Sequence, residues 1–324
     1  MDDPAGIAKA KGHMLTDRKI AIIIACYNDA GTIEEMLKRV HKAMENVSPN
    51  YEIVYVNDAS PDGAAAVLAK AFAKDNRLTV ITHSRNFGAQ NVFTSGIEQS
   101  HSDAVVLMDG DLQDPPELIP LFVQKWLEGH DVVYGVRQRR KTGVFLGLAY
   151  KAFYRIYRAL SYVPVPLDAG DFSLMDRKVA DILARMPERD RFLRGLRAWV
   201  GFRQAGVPYT RPARFSGSST NSLLDNVRWA KMGIFSLSFK PLEWISYLAF
   251  GMVVLSGLAI VIYIFFYFRF GAPPGFVTLL VVTLFLGGIQ LLCFAVLAEY
   301  VGRIFEEVKA RPRYIVESID RHGP

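Results

Sequence analysis

The chain has 324 residues, a formal net charge of +6 and a hydrophobic fraction of 51%. That length allows one large domain or two smaller ones, and the basic balance favours anionic partners. The basic groups surround apolar segments instead of forming an exposed stripe, which argues against nucleic acid. The two cysteines, Cys26 and Cys293, lie too far apart in sequence to suggest a disulfide framework.

Residues 1–18 are polar, carry Lys9, Lys11, Asp17 and Arg18, and lack an apolar core, so they read as a flexible tail and not as a secretory signal. From residue 19 short apolar runs alternate with helical patterns. Strands are expected at 20–26, 51–57, 78–82 and 104–109, with helices at 33–47, 64–72 and 90–99 between them. This βαβα order predicts an α/β domain over 19–222, with a mainly parallel, Rossmann-like sheet and ligands beyond the carboxyl ends of its strands. The polar residues there are Tyr27, Asn28 and Asp29, then Asp58 and Ser60, then Ser84–Gly88, then Asp109–Asp114.

A basic stretch at 137–141 leads into an amphipathic pattern over 145–162, suited equally to lipid or to a protein neighbour. Residues 223–240, with Trp229, Lys231, Phe235 and Lys240, read as an interfacial helix ahead of a hairpin over 241–300. Within that hairpin, 244–268 and 276–298 carry no charge, and each exceeds the ~20 residues that cross hydrocarbon. The link contains Gly271, Pro273, Pro274 and Gly275. Basic residues outside the hairpin (Arg228, Lys231, Lys240, Arg303, Lys309, Arg311 and Arg313) against Arg269 alone inside it place both termini in the cytoplasm, with 301–324 as a tail. Gly287-Gly288 could support association of the spans into a homo-oligomer.

The sharpest chemistry lies in Asp109-Gly110-Asp111-Leu112-Gln113-Asp114-Pro115-Pro116-Glu117 at a strand end. Alternate residues of an extended segment point the same way, so Asp109 and Asp111 can converge on one hard divalent cation, Mg2+ or Mn2+, with the Gln113 carbonyl as a third oxygen. The bland alternative is a solvated acidic turn before a helix. Asp58 could accept hydrogen bonds from a base or ribose, and Arg85 could contact a diphosphate.

These strings, with Ala25-Cys26-Tyr27-Asn28, Asn57-Asp58-Ala59-Ser60-Pro61-Asp62-Gly63, Arg85-Asn86-Phe87-Gly88, Gly170-Asp171-Phe172 and Glu299-Tyr300-Val301-Gly302-Arg303, resemble family 2 glycosyltransferases of the polyprenyl-phosphate type. That group includes dolichol-phosphate mannose synthases and bacterial undecaprenyl-phosphate glucosyltransferases, and the likeness runs from residue 19 to about 313. It implies a GT-A fold and an inverting, metal-dependent transfer of one sugar from a nucleotide donor, UDP-linked in preference to GDP-linked, to a polyprenyl phosphate at the cytoplasmic membrane. On this likeness Asp109, Asp111 and Gln113 bind the metal, and Ala25, Tyr27, Asp29, Asp58, Ser60, Arg85, Asp109 and Gly110 line the donor. Arg137, Arg139, Arg194 and Arg214 surround the acceptor phosphate. Asp109, Asp111 and Asp171 are the candidate catalytic acids; an ionised acceptor needs no strong base, and where one is used it is Asp111 or Asp171, unless Asp171 instead orients one of those arginines. Two departures stand out. Many members have Glu where Asp29 stands, and a Lys in a Gly-x-Ser-Lys motif where this chain reads Gly217-Ser218-Ser219-Thr220-Asn221. A processive polysaccharide synthase would need more spans and a Gln-x-x-Arg-Trp motif, and a sugar nucleotidyltransferase has no need of a hairpin. A membrane-bound scaffold without turnover is the non-enzymatic alternative.

Overall fold

A run such as Ile20-Ala21-Ile22-Ile23-Ile24-Ala25-Cys26 is apolar at every position, the mark of a strand covered on both faces. All seven residues are buried. The computed structural model describes residues 14–138, 169–212, 238–271 and 275–323. The chain divides into two compact units: the sheet with its flanking helices and the segment from Pro312, and the two long helices.

In chain order the first unit has β1 (Ile20–Cys26), α1 (Ile33–Met44), β2 (Tyr51–Asn57), α2 (Ala64–Phe72), β3 (Leu78–His83), α3 (Ala89–Gln99), β4 (Ala104–Asp109), α4 (Ile119–Leu127), β5 (Val132–Arg137), β6 (Ala169–Asp176), α5 (Arg177–Arg185), α6 (Leu193–Trp199) and β7 (Gln204–Tyr209). The second unit has α7 (Lys240–Phe270) and α8 (Phe276–Lys309), and β8 (Val316–Asp320) returns to the first. The sheet order is β7-β5-β6-β4-β1-β2-β3-β8. Strands β1 to β4 are mutually parallel where they pair, β6 runs antiparallel to β4 and β5, and β8 runs antiparallel to β3. Strand order reverses beside β1: β2 and β3 lie on one side and β4 on the other. Ligand crevices form at the carboxyl end of such a switch point.

Alternate residues of β1 serve two cores. Ile20, Ile22 and Ile24 pack with Met36 and Val40 of α1, Leu68 of α2 and Phe122 of α4. Ala21 and Ile23 pack with Val92 and Phe93 of α3, Val179 and Leu183 of α5 and Leu196 of α6. At about 1.5–3 kcal/mol for each large aliphatic side chain fully buried, these two layers hold the strand ends in place.

The expected elements through β4 are present. The expected terminal tails differ from the structure where it describes them, residues 1–13 lying outside the described residues. From Leu15 the amino-terminal segment is bound: Leu15 N donates to Asn46 O (3.3 Å) and Thr16 N to Val47 O (3.0 Å), while the Arg18 guanidinium lies 5.1 Å over the Trp126 ring. At the other end α8 runs on to Lys309, and Val316–Asp320 forms an edge strand paired with β3. Helices expected over 145–162 and over most of 223–240 lie outside the described residues.

Helices α7 and α8, of 31 and 34 residues, are long and apolar enough to cross a membrane, each with a window of mean hydropathy 2.5 and none of that window buried. At ~1.5 Å per residue both exceed the ~30 Å of a hydrocarbon core. The last turns of α8 instead carry charge, with Arg303 3.6 Å from Glu299 and Lys309 2.8 Å from Glu306.

Candidate active site

At the switch point the ends of β1 and β4 touch through backbone. Gly110 N donates to Ala25 O at 2.9 Å, and a Cβ on Gly110 would sit 2.5 Å from that oxygen. Only glycine permits this approach. Thr32 Oγ1 lies 2.7 Å from Asp29 O and 2.6 Å from Gly110 O, joining the turn after β1 to the turn after β4.

The turns themselves are strained. Asn28, Ala59 and Leu112 adopt φ of 61°, 53° and 60°, each just past the end of β1, β2 or β4. Left-handed non-glycine residues cost about 1 kcal/mol or more and gather at functional sites. At Leu112 the turn buries the leucine side chain and brings Gln113 N to donate to Asp111 Oδ1 (3.0 Å).

The edge beyond β1 and β2 is tied by side-chain acceptors. Ser60 Oγ accepts from Asn28 N (2.8 Å) and donates to Asp62 Oδ1 (2.6 Å), while Asp62 Oδ2 accepts from Ala30 N (2.7 Å). Tyr27 is 43% exposed on this edge, and Arg85 is exposed with its guanidinium 4.5 Å over the Phe87 ring. Asp58 differs from the expected base or ribose acceptor: it is 2% exposed, and both its oxygens are engaged within the protein. Oδ1 accepts from His83 Nδ1 (2.8 Å) and Phe87 N (2.9 Å), and Oδ2 from Gly88 N (2.7 Å). It fastens the loop that carries Arg85.

Beside this edge lie four carboxyls: Asp109, Asp111, Asp114 and Asp171. Burial, then Asp114, Asp171 and Asp111, push the Asp109 carboxyl up to about 8, with Arg137 opposing. Asp114 is 1% exposed; burial raises it as well, against the pull of Arg137 and the Tyr209 hydroxyl, which donates to its Oδ1 at 2.8 Å. Asp114 Oδ2 has no hydrogen-bond partner among the described residues.

Arginines face these acids. Arg194 grips Asp171 with Nε (3.3 Å) and Nη2 (3.0 Å), and Gln90 Nε2 donates to the same carboxylate (3.2 Å). Burial alone would raise the Asp171 carboxyl; Arg194, then Arg197 and Arg137, outweigh it and hold the group below the usual range. Arg137 Nε donates to Tyr209 Oη (3.3 Å), and Arg211 Nη2 lies 3.8 Å from Asp111 Oδ2. Burial brings the Arg197 guanidinium down to about 10.

A divalent cation fits this chemistry. The donors are hard oxygens, and a cation beside Asp109 would offset the charge crowding that burial aggravates. Among the described residues no three His, Cys, Asp or Glu side chains are grouped to hold an ion. Asp109 and Asp111 are the carboxylates that could meet a cation here, with its other positions open to oxygens of a bound substrate, as Mg2+ favours.

The structure thus gathers Ala25, Tyr27, Asp29, Ser60, Asp109, Gly110, Asp111 and Gln113 at the β1/β4 end, and brings Arg137 and Arg194 to the acids. Arg139, Arg214 and the 217–221 departure lie outside the described residues. The sequence reading placed Asp114 on the ligand edge without giving it a role, and it missed Gln90, Tyr209 and Arg211. Asp114 stands inside the quoted motif, whereas the other three reach the site only through folding.

Residues 21–183 match the family described as Glycosyl transferase family 2. A Bacillus subtilis (strain 168) protein named uncharacterized glycosyltransferase YkcC is 39% identical over 303 residues, spanning 92% of this chain and 93% of its own. The SfII prophage-derived bactoprenol glucosyl transferase of Shigella flexneri is 34% identical over 308 residues, spanning 94% of this chain and 100% of its own. Among solved structures, the mannosyltransferase PcManGT from Pyrobaculum calidifontis, in complex with GDP-Man and Mn2+, superposes with a TM-score of 0.43 at 18% identity, over 60% of this chain and 55% of that one.

Proposed function

The chain belongs to glycosyl transferase family 2, and from that premise we propose that it moves a single sugar, with inversion, from a nucleoside-diphosphate donor to a polyprenyl phosphate at a membrane surface. The observation that carries this reading is the acid cluster at the switch point, with Arg137 and Arg194 set against it. The clustered acids suit a metal-bound diphosphate, and the arginines beside them suit an anionic acceptor. The name of the Shigella flexneri relative supports a bactoprenol-type acceptor, and α7 and α8 supply an anchor beside such a lipid.

Tyr27 and Asp29 would meet the nucleoside at the exposed donor edge, while Asp58 holds the loop that presents Arg85. Asp109 and Asp111, with the Gln113 carbonyl, would hold Mg2+ or Mn2+, and that cation would supply positive charge to offset the departing diphosphate. The acceptor phosphate is already ionised near neutral pH, so its oxygen attacks the anomeric carbon as the carbon–oxygen bond to the nucleoside diphosphate breaks on the opposite side. No proton has to leave the nucleophile. Asp171 suits this scheme as a positioning group: a carboxylate gripped by Arg194 and held below its usual range is a poor proton acceptor. It aims Arg194, whose guanidinium fork matches phosphate oxygens.

We read the catalytic domain and both termini as cytoplasmic, on the basic flanks of the hairpin, and the donor as a UDP-sugar. The test is transfer of labelled sugar from a panel of UDP- and GDP-sugars to undecaprenyl phosphate in membranes, with and without Mg2+, for the native chain and Asp111→Ala. Metal-dependent glycolipid that disappears in the variant supports the proposal. No glycolipid from any donor, with folded protein in the membrane, overturns it.

A further inference from the structure

The segment that follows α8 lies against the base of the donor loop. Arg313 Nη1 donates to Met186 O (2.9 Å), and its Nη2 donates to Glu98 Oε1 (2.9 Å) and Ala184 O (3.3 Å). The Tyr314 hydroxyl donates to the other oxygen of Glu98. Its ring stacks on His83, centroids 5.2 Å apart and planes 18° from parallel. One residue on, Ile315 O accepts from Ser84 N (3.0 Å), and Val316 opens β8 opposite His83, where the register slips between Thr82 and His83.

His83 is fully buried, and its Nδ1 donates to Asp58 Oδ1, since a carboxylate only accepts. Asp58 in turn holds the amides of Phe87 and Gly88. A continuous path therefore runs from Tyr314 through His83 and Asp58 to the Arg85–Gly88 loop. The stacked ring limits how the imidazole can tilt, and the imidazole orients the carboxylate. Without Tyr314 the imidazole would lose one wall and Asp58 its fixed direction.

We propose that Tyr314 is a positioning residue for donor binding, acting through His83 and Asp58 on the Arg85–Gly88 loop. This rests on the reading of that loop as part of the donor site. It gives the segment after α8 a second task besides closing the sheet edge: the donor loop is ordered only when that segment is seated. The ring does the positioning, while the hydroxyl and Arg313 anchor the segment on Glu98.

Two measurements on the full-length protein in detergent or membranes test this, one of them independent of turnover. Hydrogen exchange at the Phe87 and Gly88 amides should speed up by about 10-fold or more in Tyr314→Ala, the scale of a lost charge-assisted hydrogen bond, while amides of β1 and β4 stay protected. Tyr314→Phe keeps the stack and should leave that exchange within about 2-fold of native. His83→Asn, which can still donate toward Asp58, should exchange more slowly there than His83→Ala. In the transfer assay Tyr314→Ala should raise KM for the nucleotide sugar about 10-fold with little change in kcat or in the acceptor KM. Unchanged loop exchange, or an increase spread equally over β1 and β4, overturns the proposal. Loosened loop amides with an unchanged donor KM also overturn it while leaving the family activity standing. A native protein with no turnover on any donor, but a loop that loosens as described, sinks the donor-site reading and leaves the structural path intact.

Discussion

Gly110 donates its amide to the Ala25 carbonyl at 2.9 Å, and the same oxygen would lie 2.5 Å from any Cβ placed on Gly110. Real Cβ atoms do not approach so closely, and a backbone oxygen in the middle of a sheet has no rotamer to escape into. Gly110→Ala must therefore part the ends of β1 and β4, moving Asp109 and Asp111 away from Tyr27 and Asp29. A displacement of about 1 Å is enough to cost about 100-fold in rate. Transfer kinetics should show kcat/KM down by about that factor, with a stability loss of about 1–3 kcal/mol. Near-native turnover would mean that the strand ends tolerate separation and that their contact does not set the site.

Asp109 makes the opposite trade. Burial and three neighbouring acids push its carboxyl from 3.8 up to about 8. A folded-state value above the unfolded one means that the folded chain binds the proton more tightly. Its contribution is therefore most favourable below about pH 4 and is lost as pH rises toward 8. Asp109→Asn removes that loss. Thermal melts without metal should show the variant more stable than native at pH 8, with the advantage shrinking by pH 5, and transfer reduced by about 100-fold or more. Saturating Mg2+ should stabilise the native chain, by ~2.7 kcal/mol at 100 times Kd, and leave the variant nearly unmoved. A variant less stable than native at pH 8 would contradict this account.

Gly96 lies inside α3, where alanine would ordinarily gain about 1 kcal/mol in helix propensity. A Cβ there would meet Ile23 Cγ2 at 2.3 Å, and Ile23 is fully buried in the middle of β1. Overpacking of a dense core costs about 1–3 kcal/mol, so the clash outweighs the propensity. Gly96→Ala should lower Tm by about 2–6 °C for a domain of this size. In the Ile23→Ala background the same change should cost less or become favourable, a coupling that a double-mutant cycle measures directly.

These positions show what a one-dimensional reading can and cannot reach. The strands β1 and β4 are legible as nearly unbroken apolar runs, β2 and β3 as short β-branched and aromatic stretches broken by Glu52, Thr79 and Thr82, and their alternation with helices implies the parallel order and the ligand edge. The edge strand β8 is not legible: Val316-Glu317-Ser318-Ile319-Asp320 has one polar side or the other at most positions and follows a helix charged at its end, so it reads as tail. Strand β7, with Gly206 and Pro208 inside it, carries breakers that a run-based reading discards. Within the site the acids after β4 are legible as a motif, whereas the direction of the Asp58 carboxylate is not. A short acid after a strand can face outward to a ligand or inward to loop amides, and the choice depends on His83, Phe87 and Gly88 closing around it, at least 25 residues away. Arg211 and Tyr209 reach Asp111 and Asp114 across about 100 residues of chain, a distance no local pattern encodes.

The pair Asp171–Arg194 carries a pH signature of its own. Asp171 is 9% exposed, and its carboxyl stands below the ordinary 3.8: burial alone would raise it, but the Arg194 contact prevails. A folded-state value below the unfolded one contributes stability above about pH 4, and that stability is lost as the pH falls further through the folded value. Asp171→Asn removes this contribution and leaves Arg194 without its charged partner on β6. At pH 7 the variant should be less stable by about 2 kcal/mol, the scale of a charge-assisted hydrogen bond. Below pH 4 the two proteins should converge, because the native chain is then losing what the variant never had. Turnover separates the positioning role from a proton-accepting one. If Asp171 aims Arg194 at the acceptor phosphate, the variant should raise the acceptor KM, leave the donor KM alone, and keep a pH–rate profile of native shape on the acid side. Loss of an acid limb from that profile would instead make Asp171 the base, and the arginine's orientation a by-product.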